Sequence, residues 1–193
     1  SSDARRYHGG YSRILDAYGY TSFGVGDGDA TVRLGKHVVS WGEALFFPAI
    51  SLAQGPVDGS KSSIPGTETK DLLLPEDQLS LIYRPTPNWS LMAHVQYGWH
   101  PIITNAPGSF LNTSNQSGPG NSCLDRYYPN RSGGYSCSFG ARQGDDRPGD
   151  TGQWGVGTRY RVTEETELGL YYLNYHDRIA LPEVNVFAAS DAL

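Results

Sequence analysis

The sequence predicts an all-β fold, an antiparallel meander that forms part of a transmembrane β-barrel with long extracellular loops. Three observations predict it: a strand-like alternation from Trp89 to His100, an abundance of Gly and Tyr, and six strand candidates whose connections alternate between short and long. In the alternating stretch, Trp89, Leu91, Ala93, Val95, Tyr97 and Trp99 fall on one face and Ser90, Met92, His94, Gln96, Gly98 and His100 on the other. Only a strand separates them so cleanly. At roughly 3.3 Å per residue and a tilt near 45°, Trp89 to Trp99 rises about 23 Å, close to the apolar band of a membrane barrel. Trp89 and Trp99 stand where an aromatic girdle would lie, and Tyr97, Trp154 and Tyr160 are further girdle candidates. A long strand of a soluble sheet, packed on a core through its apolar face, gives the same alternation.

The composition agrees with β structure. With 24 Gly and 13 Tyr against 1 Met and 2 Cys, the chain favours turns and amphipathic aromatic positions over a Leu-rich helical core. No run of about eighteen apolar residues occurs, which excludes a transmembrane helix but not a barrel strand. The net charge of -5 and the lack of a Lys/Arg cluster argue against nucleic acid as a partner. Ser-Ser-Asp-Ala-Arg-Arg at the start carries no apolar export segment, so any such signal is expected to have been removed or to lie elsewhere.

The elements follow in order. A first strand over about Arg13 to Phe23 leads into Gly24 to Asp29, a hairpin-type Gly/Asp turn. The second runs from Ala30 to Trp41, with Ala30, Val32, Leu34 and Val38 alternating against Thr31, Arg33, Gly35 and His37; Lys36 interrupts its apolar face. A long connection, 42–77, reaches a third strand from Gln78 to Arg84, and Pro85 to Asn88 turns the chain into the Trp89 strand. A polar loop, 101–151, precedes a fifth strand from Gly152 to Thr163, and Glu164 to Thr166 turns into a sixth from Glu167 to His176. Short turns on one side and long loops on the other are the rhythm of outer-membrane barrels. Six strands are fewer than the eight of the smallest such barrels, and open edges in lipid cost several kcal/mol per group, so residues 1–193 are expected to be one partial barrel domain. The end of the sequence, Ala-Ala-Ser-Asp-Ala-Leu, also lacks the aromatic closing strand such barrels carry.

A series of motifs from Val32 to Pro75 resembles a known family. These are Arg33-Leu34-Gly35-Lys36-His37-Val38-Val39-Ser40-Trp41-Gly42-Glu43, Gly55-Pro56-Val57-Asp58-Gly59-Ser60-Lys61, Ile64-Pro65-Gly66-Thr67-Glu68-Thr69-Lys70 and Leu72-Leu73-Leu74-Pro75. With Gly152 to Val156 and Gly169 to His176, they look like domain-of-unknown-function family 1302 over most of the chain. The resemblance implies a large barrel in the outer membrane of a Gram-negative bacterium, longer than this chain. It also implies partnership with a resistance-nodulation-division (RND) type transporter and a periplasmic lipid-carrier-like protein, and a role in moving hydrophobic or lipid-like molecules. The sequence departs from the family at Gly55, where Asn usually precedes Pro-Val-Asp.

The 42–77 connection is the leading functional segment, since it joins an apolar run, Ala44 to Ile50, to charged residues. It either enters the lumen as a constriction or packs on the rim. Glu43, Asp58, Lys61, Glu68 and Lys70, with Arg33, His94, Gln96, Arg159 and Arg161 on the polar strand faces, are the candidate lumen or constriction residues. Cys123 and Cys137 are expected to form a disulfide in the exposed 101–151 loop, closing about 15 residues and contributing about 3 kcal/mol. Two unpaired thiols, or half of a metal site, are the alternatives. His94 and His100 lie about 20 Å apart along one strand face and cannot share a metal, and no zinc spacing occurs. Asp145, Asp146 and Asp150 do not follow calcium-loop spacing and read as a solvated turn.

No cofactor and no enzymatic activity are expected, because neither a nucleophile elbow nor a dinucleotide loop is present. The resulting expectation is an outer-membrane channel or envelope partner for hydrophobic cargo, with the lipid bilayer as its first partner. Charges at Leu91, Ala93 or Val95 should then disrupt insertion, and charges at His94 or Gln96 should be tolerated. A barrel-borne hydrolase using rim residues such as His176, and a secreted soluble β-sandwich binding module, are the rival readings.

Overall fold

The computed structural model describes residues 14–41, 54–61, 64–105, 127–129, 133, 135–137 and 144–179. The strands are β1 (Ala17–Val25), β2 (Gly28–His37), β3 (Glu76–Thr86), β4 (Trp89–Gln96), β5 (Tyr127–Pro129), β6 (Tyr135–Cys137), β7 (Gln153–Arg161) and β8 (Glu167–Asn174). One six-stranded sheet has the order β1-β2-β3-β4-β7-β8, and β5 and β6 pair separately. Every pairing is antiparallel, so the sheet is an open meander with β1 and β8 as its edges. Helical structure among the described residues is confined to short pieces, including a 3-10 turn at Gly59–Lys61 and one α-turn at Thr69–Leu72. No described helix is long and apolar enough to cross a membrane, which says nothing of crossing by strands.

The short turns follow from local chemistry. Val25 pairs with Gly28 across a two-residue loop in which Gly26 has φ +62°. A glycine at that first loop position is what a type II′ hairpin turn requires, and this turn matches the right-handed twist of the flanking strands. The β3–β4 turn uses Pro87 and Asn88, with a register shift between Tyr83 and Thr86, where Pro85 lacks an N–H for the ladder. The β7–β8 turn is held by Val162 N–H to Thr166 O at 2.9 Å.

Four strands end earlier than their alternation suggests, β7 among them at Arg161 rather than Thr163. β2 stops at His37 rather than Trp41, because Gln78 Nε2 donates to the His37 carbonyl at 2.7 Å and Trp41 N–H donates to Gln54 Oε1 at 2.6 Å. Side chains thus take the backbone groups a continued ladder would have used. β4 stops at Gln96, after which Tyr97 N–H bonds Asp77 O. The chain then turns over the sheet, and the Trp99 indole N–H is buried without a partner among the described residues instead of standing on the outer face. β8 ends at Asn174, whose Nδ2 donates back to Gly152 O at 2.8 Å. β3 is longer than expected at both ends.

Residues opposite one another on paired strands share a face. One face carries Phe23, Leu34, Leu79, Leu81, Leu91, Val95, Val156, Leu168, Leu170 and Tyr172, with Trp89 paired to Tyr160 and Trp154 to Val95. Much of this apolar face is uncovered, Leu170 being 74% exposed. Lys36, which interrupts it, is paired to Asp77 at 3.6 Å where the sheet meets the long connections. The opposite face carries Arg33, His37, Glu76, Gln78, Ser80, Ser90, Met92, His94, Gln96, Gln153, Arg159 and Arg161. Among the described residues, ten buried positions are polar or charged and four are hydrophobic. A soluble one-sided sheet would reverse that distribution.

The covering layer on the polar face comes from the long connections. Val57 bridges Leu73 within the first connection, and Asp58 bridges Ile103 of the second, so residues 54–61 and 101–103 are stitched together over one end of the sheet. Ile102 N–H donates to Arg178 O, adding the segment after β8.

Candidate functional site

The polar face has a filled end and an open end. At the filled end, beside the long connections, Glu76 and Gln78 are fully buried and Gln96, Gln153 and Arg178 nearly so. Arg178 joins them. Its Nη1 donates to Glu76 Oε1 at 3.0 Å and to His100 O at 2.9 Å, and its Nη2 donates to Gln96 Oε1 at 2.7 Å and Gln153 Oε1 at 3.4 Å. His100 Nδ1 adds a bond to Glu76 Oε2 at 3.0 Å, and Gln96 Nε2 donates to Gln54 O at 2.5 Å. Burial pushes the Arg178 pKa down, and the Glu76 carboxylate opposes this. A guanidinium keeps its proton even so, and a buried charge of this kind persists only when paired and hydrogen-bonded.

The centre of the face is aromatic. His94, nearly fully buried, meets the edge of Trp41 at 4.7 Å between ring centroids, and Trp41 stacks on Tyr171 at 6.0 Å. Glycines on β7 make the room: a Cβ at Gly155 would lie 2.6 Å from His94 Cε1, and one at Gly157 would lie 2.7 Å from Tyr171 Cδ1. His37 is fixed beside this centre. The Gly35 carbonyl can only accept, so His37 Nδ1 donates to it at 2.9 Å, and Nε2 meets Ser80 Oγ at 2.8 Å.

The open end lies at the short turns. A concavity of about 270 Å³ is lined by Arg84, Arg159 and Arg161, with Ser90, Ile82 and Met92 among its other walls. Arg84 pairs with Asp29 at 3.6 Å. Arg159 donates Nε–H to Tyr171 Oη at 2.7 Å and lies 3.7 Å from Glu167, which also lines the concavity. Arg161 has no side-chain partner among the described residues, and its backbone N–H is held by Asn88 O at 2.9 Å.

The candidate residues therefore divide. Arg33, His94, Gln96, Arg159 and Arg161 do share the polar face. His94 and Gln96 belong to its packed part and do not face open space. Arg33 lies 5.7 Å over the Tyr18 ring near the β1 edge. Asp58 is buried, accepts from Ser60 and pairs with Lys61 at 3.7 Å, which shapes the covering segment. Glu68 is exposed and caps the turn at Thr69–Leu72 with Asp71. Glu43 and Cys123 lie outside the described residues, and so do the side chains of Lys70 and Cys137; Cys137 is in β6, and the expected Cys123–Cys137 disulfide lies outside the described residues. Trp89, Tyr97, Trp154 and Tyr160 are substantially exposed, while Trp99 turns inward. Asp145 pairs with Arg147 at 3.5 Å, and Asp177 Oδ1 accepts the Ile179 N–H, so Asp177 braces a bend beside His176.

Arg178, Glu76, Gln153, Gln54 and Trp41 were not among the candidates. Gln153 and Glu76 carried a usable signal, since a strict two-residue period puts both on the polar face. Gln54 and Arg178 lie in segments without periodicity.

A model of the family described as "Protein of unknown function (DUF1302)" matches residues 1–192. No curated protein and no solved structure matches the chain.

Proposed function

The chain belongs to the DUF1302 family, and from that premise we propose that it is part of an outer-membrane β-barrel of a Gram-negative bacterium that serves as a channel or envelope partner for hydrophobic or lipid-like molecules. The observation that carries the barrel is the inverted sheet: polar groups are buried on one face while large apolar side chains such as Leu34, Leu170 and Tyr172 are exposed on the other. Lipid resolves that inversion, because an outward apolar band and a polar interior are what a membrane barrel needs. β1 and β8 leave the sheet open, so closure takes further strands at both edges. The long connections then lie on the extracellular side and the short turns on the periplasmic side.

Hydrophobic cargo, an RND-type transporter and a periplasmic lipid-carrier-like protein enter this reading from the family resemblance. The 42–77 segment serves as a lumen-side constriction in it, supported by the bond from Gln96 on the polar face to the Gln54 carbonyl. The role of the barrel is passive, without covalent chemistry.

Electrophoresis of the outer-membrane fraction, boiled against unboiled, tests the barrel. A membrane-extracted band that migrates faster unboiled is expected, and a soluble product with no heat shift overturns the reading. Entry of the lipophilic dye N-phenyl-1-naphthylamine, compared in cells with and without the protein, tests the transport role. An unchanged rate removes that role and leaves the barrel standing.

A further inference from the structure

We infer that the arginine-lined concavity at the short-turn end is a binding subsite for the anionic head of a single-chain amphiphile, a carboxylate or phosphate joined to an alkyl tail. The inference deepens the proposed function, on which it rests for the way cargo arrives, by assigning that cargo a charge and a contact point.

The charge argument begins with the residues that already have partners. Arg84 is drawn toward Asp29, and Arg159 toward Glu167 and Tyr171. Three guanidiniums in the lining face one carboxylate there, Glu167. Even with Asp29 included, one positive charge is left over, and Arg161 is the guanidinium without a side-chain partner among the described residues. The protein as a whole is acidic, with a net charge of -5, so this local excess is not a general property of its surface. Guanidiniums present planar forks of N–H donors that match carboxylate and phosphate oxygens, and Ser90 adds a hydroxyl beside them.

The walls supply the second half of the argument. Ile82 and Met92 are paired across β3 and β4 on the polar face, and both line the concavity. Met92, opposite Gly157 on β7, is largely buried and reaches the concavity as part of its lining. An inorganic anion has no use for a thioether and a branched alkyl group within the same concavity. An alkyl chain does, and an unbranched methionine adapts to its shape. The lining is mostly polar, and Ile82, Met92 and Pro87 are its apolar members, so the site offers a charged head most of its contacts and an alkyl tail a short apolar strip.

The test is equilibrium dialysis of the full-length protein in amphipol at low salt, with radiolabelled dodecanoate, 1-dodecanol and inorganic phosphate as separate probes. Dodecanoate should bind about tenfold more tightly than dodecanol, and Arg161→Gln should remove that preference while leaving dodecanol unchanged. Arg161→Lys should restore part of it, and Met92→Gln should weaken both alkyl probes. Equal affinity for dodecanoate and dodecanol overturns the inference, as does a preference that survives Arg161→Gln. Phosphate that binds as tightly as dodecanoate overturns the amphiphile and leaves an oxyanion site. The heat shift of each variant is run alongside. A heat-shifting barrel without the preference sinks this inference alone, whereas a soluble protein that keeps the preference sinks the barrel alone.

Discussion

Replacing Arg178 by Met should be among the most damaging single changes available in this protein. The substitution keeps an unbranched stem of similar reach and removes the guanidinium, with its bonds to Glu76, His100 O, Gln96 and Gln153. Glu76, fully buried, would retain only His100 as a side-chain partner. Removing one member of a buried ion pair costs about 3–5 kcal/mol, most of it from the charge left unpaired, so a loss in that range is expected. Glu76→Gln should be costly for the converse reason, since Arg178 would keep its charge without a counter-charge. The double variant Glu76→Gln/Arg178→Met buries no charge in this cluster, and its loss should fall short of the sum of the singles by about 2–3 kcal/mol. Urea unfolding of the purified, folded protein measures all three, with the fluorescence of Trp41 changing as it leaves His94 and Tyr171. Single variants within about 0.5 kcal/mol of the parent, or losses that simply add, would refute the reasoning that this pair is a desolvated clamp.

Two further outcomes are expected. Val95→Arg should reduce folding stability in a bilayer by about 2–4 kcal/mol if the residue lies near the midplane, whereas Ser90→Arg, on the polar face, should stay within about 0.5 kcal/mol; urea titration in lipid vesicles compares them, and equal losses would contradict the facing of β4. Gly157→Val should cost about 1–3 kcal/mol by crowding, since a Cβ there comes within 2.7 Å of Tyr171 Cδ1; Tyr171→Ala in the same background should recover part of the loss in a thermal melt.

How much of this was legible depended on whether a residue's partners were set by period or by distant loops. Trp89 to Gln96 alternates so strictly that its facing could be read directly, and the polar face placed Arg33, His94, Gln96, Arg159 and Arg161 together as the register does. Their environments could not be read the same way. Period assigns a side, but whether His94 and Gln96 meet water there depends on Trp41 and Gln54, which reach them from a connection with no period of its own. The strand ends escaped for the same reason. Val38 continues the alternation of β2, yet the chain departs at His37 because Gln78 and Gln54 take backbone groups near the exit. β5 and β6 each hold three residues, too few for a period to stand out. Charge tolerance shifts accordingly: Ser90, and not Gln96 or His94, is the polar-face position on β4 where a new charge is expected to be accepted, because the other two are packed and Ser90 borders open space.

The clamp and the apolar face depend on different surroundings, which makes them separable by experiment. Glu76 and Arg178 are buried by the protein's own segments, residues 54–61, 97–103 and the stretch after β8, so their coupling should be the same whatever touches the outer face. In water, an exposed pair of this type would contribute only about 0–1 kcal/mol; the covering layer is what raises the stakes. Leu170, Leu34 and Tyr172 lie on the other side, exposed to whatever surrounds the sheet. Each apolar Å² there is worth about 25 cal/mol once it leaves water. An aqueous environment would therefore penalise a face that lipid would leave satisfied. Arg178→Met should weaken the fold in detergent, in amphipol and in vesicles alike, whereas Val95→Arg should be costly only where hydrocarbon covers β4. If both effects persist unchanged without an apolar phase, the outer face is covered by protein, and the sheet is one layer of a sandwich.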